Sequence, residues 1–165
     1  MSAAEVLDVT QGLAAAGIRW WIVGGWGIDA LVGRQTRDHH DLDLLVRVDD
    51  LPALRAWLEE AGFRRAYEWE ENRPVDVDGH VWDTAFVEQH DDGRELDVHA
   101  LRVEDEVVLL ATADPWEFPS EDFEGTGTIA GRSVACVSAE AQRAMHRGYE
   151  LPETHRADLR LLDDV

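Results

Sequence analysis

The sequence contains no lysine, and its 15 basic residues, all arginine, stand against 35 acidic ones to give a formal net charge of −20. A field of this sign repels nucleic-acid backbones and anionic lipid, and it attracts cationic small molecules. We therefore expect neither nucleic acid nor a membrane to be the main partner. The acidic excess is also compatible with a solvated surface that keeps the protein in solution.

Cysteine is nearly absent. Because Cys136 is the only one, no intramolecular disulfide can form and no thiolate cluster can hold zinc. Long apolar runs are absent as well, since no stretch approaches the ~18 residues of a membrane span. Residues 1–13 carry acids where a signal peptide needs basic residues and an apolar run. These features predict a cytoplasmic protein.

The length of 165 residues is typical of one domain, and 45% apolar with 30% charged residues is ordinary for a globular protein. The chain shows no internal repeat, low-complexity segment or interdomain linker. We therefore expect a single domain over residues 1–165, with C-terminal helices within about 138–162.

Hydrophobic periodicity and turn residues predict the secondary structure. The predicted helices cover residues 3–16, 26–31, 51–61, 139–147 and 153–162. The predicted strands cover residues 19–23, 42–48, 63–69, 81–87 and 95–101. Residues 128–137 are expected to contain a strand or a hairpin interrupted by Gly131. Residues 81–87 and 95–101 should form a hairpin, whereas 70–79 and 114–127 are expected to be loops. Asp49 and Asp50 are expected to cap the helix that follows them.

Gly24 and Gly25 separate a predicted strand from a predicted helix. Glycines at this junction let backbone amides approach a polyphosphate closely, and the helix N-terminus adds partial positive charge. The pair is compatible with a phosphate cradle and equally with an ordinary tight turn.

Asp41 and Asp43 begin the next strand, two residues apart. Alternation along a strand points both side chains to one face, where their carboxylates can converge. Magnesium prefers oxygen ligands and commonly joins one or two carboxylates to substrate phosphates. The alternative is an exposed strand end with alternating acids.

Asp97 is the candidate for a third carboxylate, and it shares a predicted strand face with Glu95 and His99. If its strand lies beside the strand of Asp41 and Asp43, Asp97 could complete a metal site or accept a proton from an acceptor hydroxyl. Without that neighbour it is an acid in a half-exposed strand.

Together these segments resemble the nucleotidyltransferase superfamily of the polymerase-beta type, which has a Gly-Gly or Gly-Ser turn followed by D-x-D. They resemble more narrowly the small bacterial lincosamide and aminoglycoside nucleotidyltransferases. In those proteins a GGW segment, a T-R-x-H-x-D-x-D segment and an S-x-E-x-Q-x-x-x-H-x-G-Y-E segment recur. The matching residues here, within about residues 15–162, are Gly24, Gly25, Trp26, Thr36, Arg37, His39, Asp41, Asp43, Ser138, Glu140, Gln142, His146, Gly148, Tyr149 and Glu150.

The resemblance implies an α/β (α+β) fold with a central mixed sheet flanked by helices. It implies that a magnesium-bound nucleoside triphosphate sits at Gly24 and Gly25, and that the acceptor attacks the α-phosphate while pyrophosphate leaves. Asp41 and Asp43 match the family's metal ligands. Asp97 matches the third acid, as metal ligand and general base, and is preferred to Glu95 because it lies within an apolar strand.

Arg37 and Arg34 precede the acids, and their guanidinium groups could clamp triphosphate oxygens. The alternative for each is a salt bridge to an acid such as Asp29 or Asp38. His39 either orients an aspartate or contacts phosphate; the alternative is a structural residue whose hydrogen bonds are satisfied within the fold.

The predicted function is magnesium-dependent transfer of a nucleoside monophosphate, expected to be AMP from ATP, to a hydroxyl of a cationic or sugar-containing small molecule. A lincosamide or aminoglycoside antibiotic fits that description.

Trp82 or Trp116 could line the acceptor pocket, and Tyr149 could stack on a base or acceptor, with packing as the alternative. The other hypotheses are a protein or RNA acceptor, as in toxin–antitoxin pairs, and a nucleotide-binding module without turnover. The oligomeric state is left open, a homodimer included.

Overall fold

The computed structural model describes residues 1–113, 116–147 and 150–165. The helices in this part are α1 (Ala3–Ala15), α2 (Gly24–Val32), α3 (Leu51–Glu60), α4 (Ala139–Met145) and α5 (Glu153–Leu161). The strands are β1 (Trp20–Val23), β2 (Leu42–Arg47), β3 (Arg64–Glu68), β4 (Val75–Val77), β5 (His80–Trp82), β6 (Ala85–Gln89), β7 (Glu95–Glu104), β8 (Val107–Leu110), β9 (Glu117–Pro119), β10 (Thr126–Ile129) and β11 (Arg132–Ala135). Short 3-10 helices lie at Val48–Asp50, Ser120–Phe123 and Leu162–Asp164.

The main sheet has seven strands, with the order β1-β2-β7-β6-β3; β8 also pairs with β7, and β9 pairs with β8. β2 and β7 run parallel, and the other neighbours in the sheet run antiparallel. The mixed sheet with flanking helices confirms the predicted fold class. Because β7 pairs with β2, residues from distant parts of the chain meet at the centre of the sheet.

Side-chain alternation along β2 decides which face of the sheet is core. Leu42, Leu44 and Val46 are fully buried or nearly so, and they belong to the main apolar cluster with residues of α1 and α3. In β7, Leu96 and Val98 belong to the same cluster. Alternate residues of the two strands therefore point to the opposite face, which is the face that forms the site.

Two features in the C-terminal third of the chain agree with the sequence-based predictions. Residues 126–135 form the predicted hairpin, with Ala130 and Gly131 at φ values of 47° and 78° in the turn. Ser138 caps α4, because its hydroxyl accepts a hydrogen bond from the Ala141 amide at 3.0 Å.

The predicted loop over residues 70–79 was wrong, because it contains β4. β4 pairs with β5 across the turn of Asp78 and Gly79, both at positive φ. The predicted strand over residues 81–87 was therefore wrong in extent: it is divided between this small hairpin and β6. Polar residues around a short strand hide its alternation, whereas the Asp-Gly pair is a hairpin signal.

The predicted loop over residues 114–127 was also wrong, because its described part contains β9 and a 3-10 helix. Residues 114 and 115 lie outside the described part of the chain. β9 pairs with β8, so its extended conformation depends on a neighbouring strand rather than on its own sequence.

The expected capping of α3 by Asp49 and Asp50 was wrong as well. A 3-10 turn leads directly into the helix, so the Asp50 backbone is in the helical region rather than the extended one that a capping residue needs. The Asp50 carboxylate instead accepts from the Arg19 amide at 3.1 Å, and Asp49 pairs with Arg47 at 2.9 Å.

Candidate functional site

A cavity of about 630 Å³ opens on the face of β2 and β7 opposite the main core. It collects residues from β1, α2, β2, β3, β7, β8, α4 and α5 and from the connecting segments. They are Val23, Gly24, Gly25, Arg37, Asp41, Asp43, Leu44, Leu45, Tyr67, Trp69, Glu71, Asp97, His99, Leu110, Thr112, Ala113, Trp116, Gln142, Met145, His146, His155 and Asp158. The cavity thus brings together Gly24, Gly25, Arg37 and all three candidate acids of the sequence analysis.

The three acids come together through strand register. Asp43 on β2 is the direct partner of Asp97 on β7, so both carboxylates project from the same face, and Asp41 precedes Asp43 by two residues. Burial, followed by the charges of Asp41 and Asp97, raises the pKa of Asp43 well above its ordinary value. Among the described residues, however, no three acidic, imidazole or thiol groups converge closely enough to enclose a metal ion by themselves.

Asp97 is held by neighbours on the cavity wall. The Trp69 indole donates from Nε1 to Asp97 Oδ1 at 2.9 Å, and His99 Nδ1 lies 3.4 Å from the same oxygen. His99 Nε2 in turn lies 3.4 Å from Glu71 Oε1. Burial lowers the pKa of His99, but hydrogen bonds and charge from Asp97 and Glu71 outweigh burial and raise it overall.

Glu95, the alternative third acid, lies two residues before Asp97 on β7. Its carboxylate accepts from the Gln89 amide at 2.5 Å and lies 3.7 Å from His40 Nε2. These contacts direct Glu95 toward the end of β6, whereas Asp97 lines the cavity.

The glycine turn fits closely against the acids. Gly24 has φ of 61°, and a Cβ there would lie 2.1 Å from Asp43 Oδ2. A Cβ on Gly25 would lie 2.5 Å from His39 Nδ1 and 2.7 Å from Arg37 Nη2. Val23, at the N-cap of α2, makes no side-chain capping bond. The first amides of α2 are therefore available to an anion in the cavity.

Arg37 is fixed at the cavity wall by a carboxylate from the other end of the chain. Its Nε lies 3.1 Å from both Asp158 oxygens, and its Nη2 lies 2.7 Å from Oδ2. The hydrogen bonds to Asp158 raise the pKa of Arg37. The sequence suggested Asp29 or Asp38 as the partner, and no sequence signal points to Asp158. Arg34 is exposed and lies beside a separate small cavity near the end of α2.

His39 takes the structural position that the sequence left open. Its Nε2 lies 2.5 Å from Asp29 Oδ2, both side chains are buried, and its ring packs against Trp26. Asp29 also accepts from the Thr36 amide at 3.0 Å. Burial raises the pKa of Asp29, but hydrogen bonds from His39 and Thr36 outweigh burial and lower it overall. The pair therefore ties α2 to the segment that carries the acids.

Aromatic residues and histidines also line the cavity. Trp116 and Tyr67 are among its lining residues, whereas Trp82 lines a different cavity of about 490 Å³ beside α3. His146 and His155, which also line the first cavity, have ring centroids 5.2 Å apart. Gly148 and Tyr149 lie outside the described residues. Aromatic faces beside carboxylates favour a cationic ligand.

Comparison with known proteins gives a consistent result. The family model of aminoglycoside-2''-adenylyltransferases matches residues 5–162. A 2''-aminoglycoside nucleotidyltransferase of Klebsiella pneumoniae is 35% identical over 144 residues, which cover 86% of this chain and 72% of that protein. A lincosamide resistance protein of Staphylococcus haemolyticus is 28% identical over 152 residues, which cover 90% of this chain and 86% of that protein.

Solved structures agree on the fold. The lincosamide antibiotic adenylyltransferase LnuA, solved with lincomycin bound, matches 97% of this chain and 95% of its own with a TM-score of 0.79 at 24% identity. ANT(2'')-Ia, solved with adenylyl-2''-tobramycin, matches 98% of this chain and 87% of its own with a TM-score of 0.73 at 26% identity. These matches confirm the polymerase-beta type of fold that the sequence predicted.

Proposed function

Since the chain belongs to the aminoglycoside-2''-adenylyltransferase family, we propose that it transfers AMP from magnesium-bound ATP to a hydroxyl of a lincosamide or aminoglycoside antibiotic. It is a nucleotidyltransferase, and its co-substrate is a nucleoside triphosphate. The proposal rests on one observation above all: Asp41, Asp43 and Asp97 line one cavity together with the Gly24–Gly25 turn.

The acids fit a divalent cation. Carboxylate oxygens are the ligands that magnesium prefers. Burial, followed by repulsion from Asp41 and Asp97, raises the pKa of Asp43, and a positive charge between the acids would relieve that repulsion. Asp41, Asp43 and Asp97 would hold the ion jointly with phosphate oxygens, which supply the ligands that the acids alone do not. When bound, magnesium offsets the phosphate charge and stabilises the attacking and leaving oxygens.

The protein's own residues orient the triphosphate. The amides of Gly24 and Gly25 donate to phosphate oxygens at the start of α2, where the helix dipole favours negative charge. Arg37 adds a guanidinium group. Its Nε and Nη2 donate to the Asp158 carboxylate, which holds the group in place. His39 supports this arrangement from behind Gly25 through its contact with Asp29.

Asp97 is the proposed general base. It accepts the proton of the acceptor hydroxyl while the hydroxyl oxygen bonds to the α-phosphorus and the bond to the bridging oxygen breaks, releasing pyrophosphate. The Trp69 indole fixes one carboxylate oxygen, and fixed geometry is what a proton transfer of this kind requires.

The acceptor is proposed to lie in the cavity against the rings of Tyr67 and Trp116. A volume of about 630 Å³ is suited to a small molecule. The net charge of −20 and the rings of Tyr67 and Trp116 favour a cation. Relatives named for lincosamide resistance and for 2''-aminoglycoside transfer support the antibiotic classes.

A transfer assay tests the proposal. The protein is incubated with magnesium, ATP labelled on the α-phosphate, and lincomycin, tobramycin or cell lysate in separate reactions. We expect label on at least one antibiotic with wild type and with Asp49→Asn, an exposed control, and none with Asp43→Asn. Label only on macromolecules would instead support a protein or RNA acceptor. ATP binding with background pyrophosphate release for every acceptor would support a module without turnover.

A further inference from the structure

Gln142 is a buried side chain whose polar atoms lack partners. It lies on α4 with 0% exposure, and within the described part of the chain neither Nε2 nor Oε1 has a hydrogen-bond partner. Burying an amide without partners costs stability, and an apolar side chain of the same shape would not incur that cost. The amide therefore calls for an explanation other than packing.

The Gln142 amide lies beside the glycine turn. Gln142 lines the cavity that holds the three acids. A Cβ on Gly27 would lie 2.2 Å from Gln142 Nε2 and 2.9 Å from the Ile22 carbonyl oxygen. Glycine at this position of α2 thus leaves room for the amide, although glycine weakens a helix interior. Gly24 and Gly25 lie one turn earlier in the same helix.

The helix that carries Gln142 is well fixed. Ser138 caps its N-terminus, and the Gln142 carbonyl oxygen accepts from His146 Nδ1 at 2.8 Å. His146 also lines the cavity. Because α4 is fixed, we expect a ligand to supply the partner for the Gln142 side chain, without a movement of the helix.

We propose that Gln142 binds the nucleoside part of the donor nucleotide, an inference that rests on the proposed function. Phosphate oxygens only accept hydrogen bonds and would leave Oε1 unpaired. A ribose hydroxyl or the hydrogen-bonding edge of the base both donates and accepts, and so pairs with Oε1 and Nε2 together. Because the amide adjoins the turn assigned to the phosphates, the nucleoside is the nearest such group.

Binding measurements with three protein forms test the assignment. Wild type is compared with Gln142→Met, which keeps the shape without polar atoms, and with Gln11→Met, an exposed helical glutamine on α1. Dissociation constants are measured by calorimetry with magnesium for ATP, 2'-deoxy-ATP, 3'-deoxy-ATP, purine riboside triphosphate and inorganic tripolyphosphate. The deoxy compounds report on the ribose, the purine riboside compound on the base edge, and tripolyphosphate on the phosphates alone.

We expect Gln142→Met to bind ATP about tenfold more weakly and tripolyphosphate as wild type does, because the lost contact is to the nucleoside. It should also no longer distinguish ATP from the analogue that wild type rejects, while Gln11→Met behaves as wild type. An unchanged preference among the analogues, or an equal loss for tripolyphosphate, would overturn the assignment. Failure of wild type to bind any of these ligands would instead overturn the proposed function itself.

Thermal unfolding separates binding from a structural role. Without ligand, Gln142→Met should melt at the wild-type temperature or a few degrees higher, since it removes an unpaired buried amide. A fall of several degrees would show that the amide is paired inside the protein and would overturn the proposal. Gln142→Glu, which replaces the donor by an acceptor, repeats the binding test should the methionine variant not fold.

Discussion

Asp43 and Asp97 are direct partners on the two parallel strands at the centre of the sheet. Opposed residues of neighbouring strands project from the same face, so strand register alone places two carboxylates on one cavity wall, with Asp41 adjoining. Burial and these neighbouring charges raise the pKa of Asp43 well above its ordinary value. Without a cation, the arrangement costs folding stability, and several consequences can be measured.

Replacing Asp43 by asparagine should separate activity from stability. We expect Asp43→Asn to lower kcat by at least about 10²–10³-fold, a range typical for loss of one electrostatic contact to a transition state. The metal-free variant should nevertheless melt at a higher temperature than wild type at neutral pH, because a repelled buried charge is removed. Pyrophosphate release and thermal unfolding check the two results, with Asp49→Asn as the control. Near-normal turnover of Asp43→Asn would refute its assigned role.

The same carboxylate predicts a pH dependence of stability. Because the pKa of Asp43 is raised in the folded state, the folded protein holds this proton more tightly than the unfolded chain does. In metal-free wild type, stability from this group is present below its ordinary pKa of 3.8 and is lost as the pH rises through the folded value. The difference in unfolding free energy between Asp43→Asn and wild type should therefore grow with pH across that window. If denaturant unfolding shows a difference that does not depend on pH, the raised pKa of Asp43 in the folded protein is contradicted.

The close contact of Gly24 with Asp43 predicts a large effect of one methyl group. Gly24→Ala places a Cβ 2.1 Å from Asp43 Oδ2, so the carboxylate must move and turnover should be lost. Gly17→Ala is the matched control, because Gly17 also has positive φ, at 74°, but a Cβ there meets nothing within 4 Å. Both variants should lose about 1 kcal/mol from backbone strain. Equal kcat values for the two alanine variants would argue against the close approach.

Asp158 should affect nucleotide binding through Arg37. Asp158→Ala removes the carboxylate that holds Nε and Nη2, and we expect a higher KM for ATP with a smaller change in KM for the acceptor. The unfolding free energy should fall by about 1–3 kcal/mol, the usual cost of losing hydrogen bonds to a charged group. Asp163→Ala, an exposed carboxylate 3.5 Å from Arg143, is the control. An unchanged KM for ATP would remove Arg37 from the triphosphate site.

Trp69 should matter through a single hydrogen bond. Trp69→Phe keeps an aromatic ring on the cavity wall but removes the Nε1 donor to Asp97. We expect kcat to fall by about tenfold, as for the loss of one hydrogen bond to a charged group, with little change in KM for ATP. Trp57→Phe, on α3 beside Phe63, is the control. Steady-state kinetics that show equal kcat for both variants would count against Asp97 as the base.

Local patterns predicted the parts of the site that lie close together in sequence. Gly24 and Gly25 break a strand before a helix, and Asp41 and Asp43 alternate at the start of another strand, so turn chemistry and strand period suffice to propose them. Asp97 needed the assumption that its strand lies beside theirs, and the parallel pairing of β2 with β7 confirms that assumption.

Contacts between residues that are far apart in the sequence could not be predicted from local patterns. Trp69 follows the edge strand β3, and Asp158 lies on an otherwise ordinary C-terminal helix, so neither carries a local signal for its partner. The importance of Gln142 depends on its amide having no partner among the described residues, which only the packed structure can show. His39 could be placed near the acids, but its burial against Asp29 depends on how α2 packs.

The most direct test of the account is a crystal structure with manganese and the α,β-methylene analogue of ATP, with the ion located by anomalous scattering. We expect one anomalous peak within coordination distance of carboxylate oxygens of Asp41, Asp43 and Asp97, with the phosphates against the amides of Gly24 and Gly25. An ion bound away from these carboxylates, or a triphosphate outside the glycine turn, would contradict the proposed mechanism.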